Sequence, residues 1–300
     1  MTGIITGIKR NAVHDGDGLR TTVFFKGCPL QCIWCHNPES LGFERTVGFY
    51  KEKCLSCGSC IQNCSKGAIR MENGVPVTDR TVCSGCFACM EMCPGDARIG
   101  YGMIWEPEAL ADKLAEDKPF FDNSGGGVTL SGGECLAQPV FAEALAEALQ
   151  RRNIAVNIDT CGFTTRQVLD RILPFADTFL YDLKAIDPEV HRKCTGQDNR
   201  CILENLRYLT ENGAKIEIRY PLVPDWNDGE CEKIGAFLAG LPRKHKIKVL
   251  GYHSLADGKY RALGIRSLLP VKQADADMVE KAAETLCRFG LQAVNGMKDD

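Results

Sequence analysis

The placement of cysteine constrains this chain more than any other feature. Eleven of its 17 cysteines fall in three short runs within the first 93 residues. The first run, Cys28, Cys32 and Cys35, has the spacing C-x3-C-x2-C and holds only three thiols. The second, Cys54, Cys57, Cys60 and Cys64, is spaced C-x2-C-x2-C-x3-C. The third, Cys83, Cys86, Cys89 and Cys93, repeats that spacing and runs into Pro94. A closed [4Fe–4S] cubane takes four cysteine thiolates. Two complete sets beside one incomplete set therefore point to two closed clusters and a third with one iron open to chemistry. The competing reading of the three-cysteine run is a zinc site completed by His36 or a distant residue, but zinc motifs usually come as two C-x2-C pairs.

Three hundred residues allow one large domain, or one domain with an insert. At 44% hydrophobic the chain can bury a substantial core, and a net charge of −3 gives no reason to expect nucleic acid or an anionic membrane surface. No apolar stretch reaches the roughly 18–20 residues of a membrane span. The opening MTGIITGIKRNAVHDGDGLR lacks the apolar core of a signal peptide. Together these point to the cytoplasm, where thiols stay reduced and clustered cysteines read as metal ligands, not disulfides.

Residues 20–26 (RTTVFFK) read as a strand running into the first cysteine run. Residues 49–101 change character: they are cysteine-rich, short in apolar runs, and carry an approximate repeat of about 29 residues. They read as a two-cluster insert between residues 1–48 and 102–300. Downstream, strands are expected at 128–131, 154–158, 178–183, 215–220 and 246–251. Helices are expected at 138–152, 165–173, 199–212, 228–239 and 274–289. Such alternation implies parallel β/α units, and six strands fall short of a full eight-stranded barrel. Polar or glycine-rich motifs recur just after strand ends, the face where such folds place their sites.

The run from His14 to Ser40 (HDGDGLRTTVFFKGCPLQCIWCHNPES), the two-cluster segment and LSGGE (130–134) are followed by DTCGF (159–163), YDLK (181–184), IRYPLVP (218–224) and GYHSLADGKYRALG (251–264). In this order they resemble the glycyl-radical-enzyme activating enzymes of the radical S-adenosylmethionine (SAM) superfamily, over almost the whole chain. The resemblance implies a partial (β/α)6 barrel interrupted by a ferredoxin-like insert. It also implies that SAM chelates the open iron and that one electron cleaves it to methionine and a 5′-deoxyadenosyl radical. That radical would take hydrogen from a glycine Cα of a partner glycyl radical enzyme. No catalytic residue is implied beyond the open cluster and bound SAM. A primary carbon radical is indiscriminate, so its site must be dry and closed by the partner.

By the same resemblance Gly132, Gly133 and Glu134 meet the methionine end of SAM, Glu134 beside its amino group. Lys184 reaches the SAM carboxylate, and Arg219, His253 and His36 stand close to the cofactor. Asp159, Thr160 and Asp182 match positions where relatives bind a monovalent cation; read only as residues they could equally be helix caps. Asp15 matches a loop thought to meet the glycyl peptide. In two-cluster ferredoxins the fourth cysteine of each run ligates the other cluster, which pairs Cys93 with Cys54, Cys57 and Cys60, and Cys64 with Cys83, Cys86 and Cys89. Two positions depart from common patterns: Ser65 stands where proline often follows the fourth cysteine, and Cys135 follows the Gly-Gly-Glu and becomes a reactive-thiol candidate. Cys161, Cys194, Cys201, Cys231 and Cys287 read as inert thiols.

The expected cofactors are thus three [4Fe–4S] clusters and SAM, with a monovalent cation as a further candidate. The expected partners are a glycyl radical enzyme and a flavodoxin or ferredoxin donor, and the expected state is a monomer. Two other readings compete. One is a radical SAM enzyme oxidising a residue of another protein, whose extra cysteines usually lie C-terminal to the barrel. The other is a non-catalytic electron carrier, which leaves the three-cysteine run and the β/α pattern unexplained.

Overall fold

The computed structural model describes residues 1–298. The chain opens with strands β1 (Gly3–Ala12) and β2 (Arg20–Phe25). Four short strands lie in and around the cysteine-rich segment: β3 (Thr46–Phe49), β4 (Ile69–Glu72), β5 (Val75–Thr78) and β6 (Arg98–Tyr101). Then come β7 (Met103–Trp105), β8 (Gly127–Gly132), β9 (Ala155–Thr160), β10 (Thr178–Asp182), β11 (Ile216–Leu222), β12 (Lys246–Gly251) and β13 (Gln292–Asn295).

Nine of these form one sheet in the order β13-β12-β11-β10-β9-β8-β2-β1-β7. The run from β2 through β8 to β13 is parallel, each strand beside its predecessor in the sheet, as in the wall of a barrel. β1 and β7 add antiparallel strands at the β2 side. All six strands expected from sequence are present. β1, β7 and β13 of this sheet were not foreseen, nor were the helices Pro107–Ala115, Lys118–Ser124, Pro188–Thr195 and Asp257–Leu263.

Period-two alternation gives the sheet two unlike faces. Val128, Leu130, Val156, Ile158, Phe179, Tyr181, Ile216, Ile218, Ile247 and Val249 join the main core. Helix Pro139–Gln150 packs onto that face through Phe141, Leu145 and Leu149, at helical spacing. The intervening residues are largely polar and share the other face. Register aligns Thr22 with Thr129, Thr129 with Asn157, Asp182 with Arg219, and Arg219 with Lys248. Buried polar groups must be satisfied. The 13–19 loop does much of this, with Thr22 donating to Asp15 (2.6 Å), Thr129 to the Asp15 carbonyl (2.7 Å) and Arg219 to the His14 carbonyl (2.7 Å).

The cysteine-rich segment leaves this sheet and returns to it through β3 and β6, which pair antiparallel from Thr46–Tyr101 to Phe49–Arg98. It also holds the β4–β5 hairpin and two four-residue helices, Ser59–Gln62 and Ala88–Glu91. Each helix follows a residue in the left-handed region, Gly58 (φ 77°) and Phe87 (φ 73°). The sequence repeat is thus a repeat of local structure. The segment expected at 102–300 ends in two residues outside those described.

Leu145 is fully buried, while Val140 on the same helix is exposed. Leu145→Ala is expected to destabilise the fold by about 2–5 kcal/mol, and Val140→Ala by no more than about 0.5 kcal/mol. Anaerobic thermal unfolding of the two variants checks this; equal shifts would contradict the packing described.

Candidate functional site

The C-terminal ends of the parallel strands surround a pocket of about 570 Å³, a size ordinary for small-molecule sites. Its wall takes Ser131 and Gly132 from the end of β8, Asp159 and Thr160 from β9, Asp182 from β10 and Pro221 from β11. Leu250 and Gly251 come from β12, and Lys184, Tyr252 and His253 from the loops just beyond β10 and β12. Cys28, Cys32 and Cys35 close the same pocket from the loop after β2.

That loop is held from several sides. Gly27 N–H donates to the Ser40 carbonyl (2.7 Å) and Cys28 N–H to that of Leu41 (3.2 Å), drawing the loop's two ends together. Gln31 and Ile33 donate to the carbonyls of Thr195 and Cys194, where helix Pro188–Thr195 ends. Helix Asp257–Leu263 clasps the third cysteine: Tyr260 Oη donates to the Cys35 carbonyl (3.1 Å). Lys259 Nζ donates to the His36 carbonyl, Asn37 Oδ1 and Glu39 Oε1. His36 and His253 stack with ring centroids 4.3 Å apart, and the His36 Nε2 lies 2.8 Å from the His253 carbonyl.

Burial pushes all three thiols up, that of Cys35 to about 12. Free, they stay protonated at neutral pH; a metal draws such protons off as it binds. Three soft sulfurs on one clamped loop suit an iron–sulfur cluster. No group of three or more His, Cys, Asp or Glu among the described residues is arranged to hold a single metal ion. A cubane spreads its cysteines over separate iron corners, a wider arrangement than the ligands of one ion.

Lys184 is a buried ammonium 2.6 Å from Asp182 Oδ2. Burial pulls its basicity down, but the adjacent Asp182 carboxylate opposes this and holds the amine charged. A buried cation in a pocket wall fits an anionic group such as a carboxylate. Gly132 (φ +115°) and Gly133 also line the pocket, but their need for glycine comes from packing. A Cβ on Gly132 would lie 2.1 Å from the Phe25 nitrogen, and one on Gly133 2.5 Å from the Gly27 carbonyl oxygen.

Several expected residues sit differently from their sequence reading. Glu134 is 1% exposed and lies outside the pocket lining. Its carboxylate accepts from Leu136 N (3.0 Å), Thr160 Oγ1 (2.8 Å) and Cys161 N (2.8 Å), so it ties the β8 and β9 loops together. Thr160 Oγ1 also accepts from Gly162 N–H, leaving it little capacity for a cation. Arg219 likewise lies outside the lining, among Asp15 (3.9 Å), Asp159 (3.6 Å) and Glu217 (3.8 Å). Asp15 joins this network and accepts from Thr22. Cys135, read as a reactive-thiol candidate, is fully buried and its thiol is pushed well above the usual range, so it is inert. Cys161, read as inert, lines the pocket, and burial pushes its thiol well above the usual range too.

Two smaller hollows lie in the cysteine-rich segment. Cys54, Cys57, Cys60 and Cys93 line one; Cys64, Cys83, Cys86 and Cys89 line the other. Each run contributes its fourth cysteine to the other run's hollow.

Burial raises Asp159 to about 7 against the opposing pull of Arg219. A carboxyl raised on folding binds more protons in the native state, so its ionisation subtracts stability between the unfolded value near 3.8 and the folded one. Asp159→Asn is therefore expected to gain stability relative to the parent as pH rises from about 4 to 7, and to hold that gain above 7. Thermal unfolding across pH checks this; a pH-independent difference would contradict it.

The comparisons with known proteins agree with this geometry. Residues 22–238 match the model of the Radical SAM superfamily. The chain is 39% identical over 288 residues to the (2S)-3-sulfopropanediol sulfolyase activating enzyme of Bilophila wadsworthia, covering 94% of this chain and 95% of that one. It is 38% identical to the trans-4-hydroxy-L-proline dehydratase activating enzyme of Clostridioides difficile, covering 87% of each. Among solved structures, Streptococcus suis SuiB with its precursor peptide SuiA superposes with a TM-score of 0.51 at 15% identity, over 64% of this chain and 42% of that one; this likeness concerns the fold alone. On the family match and these relatives, the chain belongs to the radical SAM superfamily and, within it, to the glycyl-radical-enzyme activating enzymes.

Proposed function

We propose that this chain installs a glycyl radical on a partner glycyl radical enzyme, using an open [4Fe–4S] cluster at Cys28, Cys32 and Cys35 together with SAM. The observation that carries the reading is the convergence of three thiols, on one clamped loop, with the buried Lys184 ammonium across a single pocket. When bound, the cluster and SAM supply a 5′-deoxyadenosyl radical able to take hydrogen from a glycine Cα.

The chain's own residues hold and shield that chemistry. Lys184 pairs with the SAM carboxylate, and the backbone of Gly132 and Gly133 forms the wall beside its methionine end. His36, stacked on His253, and Tyr252 border the side where the β12 loop meets the cysteine loop. Glu134 and Arg219 act one layer deeper, Glu134 by fixing the β9 loop and Arg219 by balancing Asp159 and Asp15. If a monovalent cation joins the site, Asp159 and Asp182 are its carboxylates, since the Thr160 hydroxyl is already engaged.

Residues 49–101 form a ferredoxin-like insert holding two further [4Fe–4S] clusters in the crossed ligation of the two hollows. They stand between a flavodoxin or ferredoxin donor and the open cluster. The loops that line the pocket also carry Leu255 and Val271, 83% and 96% exposed. Large apolar side chains beside a pocket mouth suit a protein partner that closes it. The named relatives activate partners of different chemistry, so the match supports a class of partner and not one substrate. We place the protein in the cytoplasm as a monomer; among the described residues no helix is long and apolar enough to cross a membrane.

Anaerobic reconstitution, iron analysis and a SAM-cleavage assay test this. The parent should bind about twelve irons, four per cubane, and release 5′-deoxyadenosine on reduction. Cys32→Ala should abolish cleavage and leave about eight irons. About eight irons in the parent and no cleavage would support the electron-carrier reading. Cleavage without a glycyl radical in an added partner, read by electron paramagnetic resonance, would support oxidation of some other protein residue.

Lys184→Met should weaken SAM binding about tenfold, or ~1.4 kcal/mol, with iron content unchanged. Equilibrium binding measures it, and unchanged affinity would remove Lys184 from the SAM site.

A further inference from the structure

Arg98 lies at the start of β6 and is 2% exposed. Its guanidinium carbon is 4.9 Å from the Phe49 ring centroid, and its terminal Nη1 donates to Thr78 Oγ1 (2.8 Å). The remaining donors, Nε and Nη2, are buried and find no acceptor among the described residues. A guanidinium is always charged, and burying it with donors unmet is costly. Other arginines of the segment are provided for: Arg70 is exposed and pairs with Glu72, and Arg80 donates to the carbonyls of Val47 and Ala262.

The surroundings of Arg98 show what would meet those donors. It lines the hollow formed by Cys54, Cys57, Cys60 and Cys93. The second hollow adjoins the first, because Cys60 of one and Cys89 of the other pack into a single small core with Val47, Ile69 and Phe87. Arg98 therefore borders one hollow directly and, through Cys60, the small core that joins it to the other.

We infer that Arg98 is a buried counter-charge for the two auxiliary clusters, its unmet N–H groups serving their negative sulfur frameworks and raising their reduction potentials. This rests on the reading of the two hollows as cluster sites. Hydrogen bonds to sulfur and net charge are among the levers that set cluster potentials. A fixed cation favours the more negative, reduced state, so its removal makes reduction harder.

The test uses the full chain with Cys28, Cys32 and Cys35 all replaced by Ala, so that only auxiliary clusters contribute signal. Iron is counted, and a redox titration is followed by electron paramagnetic resonance. Arg98→Met should retain about eight irons and shift reduction to more negative potential. The expected effect is about a tenfold lower reduced-to-oxidised ratio at fixed potential, or 59 mV for one electron. Arg98→Lys, which keeps the charge, should shift less, and Arg70→Met should not shift at all.

An unchanged potential in Arg98→Met with full iron would overturn the inference, as would equal shifts for Met and Lys. If Arg98→Met loses iron while Arg98→Lys keeps it at near-parent potential, the charge requirement stands. Loss of iron in both would assign Arg98 to packing and overturn the counter-charge role. A parent with no auxiliary iron would instead sink the underlying two-cluster reading.

Discussion

The loop bearing Cys28, Cys32 and Cys35 has almost no regular structure of its own, and the rest of the site depends on how it is held. Between β2 and the short turn Pro38–Ser40, its backbone groups have no helix or sheet to satisfy them. They are satisfied instead by its own closing ends, by helix Pro188–Thr195, by helix Asp257–Leu263, and by the β8 loop, where Glu134 N–H donates to the Gly27 carbonyl. Each clamp comes from a distant part of the chain. The thiols can be preorganised only when the whole sheet is assembled, so the geometry of the site is a tertiary property.

A second constraint follows from the two faces of the sheet. Helices cover its apolar face, which leaves the other face free to carry charge. Asp15, Asp159, Asp182, Glu217, Lys184 and Arg219 balance one another in a network that ends at the pocket wall. Buried polar networks of this kind are stable when members find partners, and they then fix one arrangement of side chains. The residues that shape the pocket from behind, Glu134 and Arg219, are accordingly as constrained as those that line it.

Much of this was legible in the sequence, and the parts that were not share a physical reason. Cysteine spacing announced where the thiols gather, because the grouping of neighbouring residues is a local property. The alternation of strands with helices after residue 127 announced the parallel units, since each element carries its own local pattern. Helix Asp257–Leu263 was missed because it is short, carries three charged residues, and is held by contacts with the cysteine loop, not by its own periodicity. Glu134 and Arg219 were read as facing the cofactor because sequence reveals that a charge stands near a strand end but not which way its partners lie. Cys135 was read as a reactive-thiol candidate on the same account: reactivity follows from burial, which single-residue reading does not give. Arg98 carries no motif at all, and only its unmet donors reveal it.

The central claim is that the three-cysteine loop holds a cluster whose open iron binds SAM within the pocket walled by Lys184. The most direct measurement is electron–nuclear double resonance on the anaerobic, reduced protein with SAM labelled at its amino nitrogen and carboxylate oxygen. The account predicts hyperfine coupling from both labels to the cluster, lost when Cys32 becomes Ala. A reduced cluster that shows neither coupling at saturating SAM would contradict it.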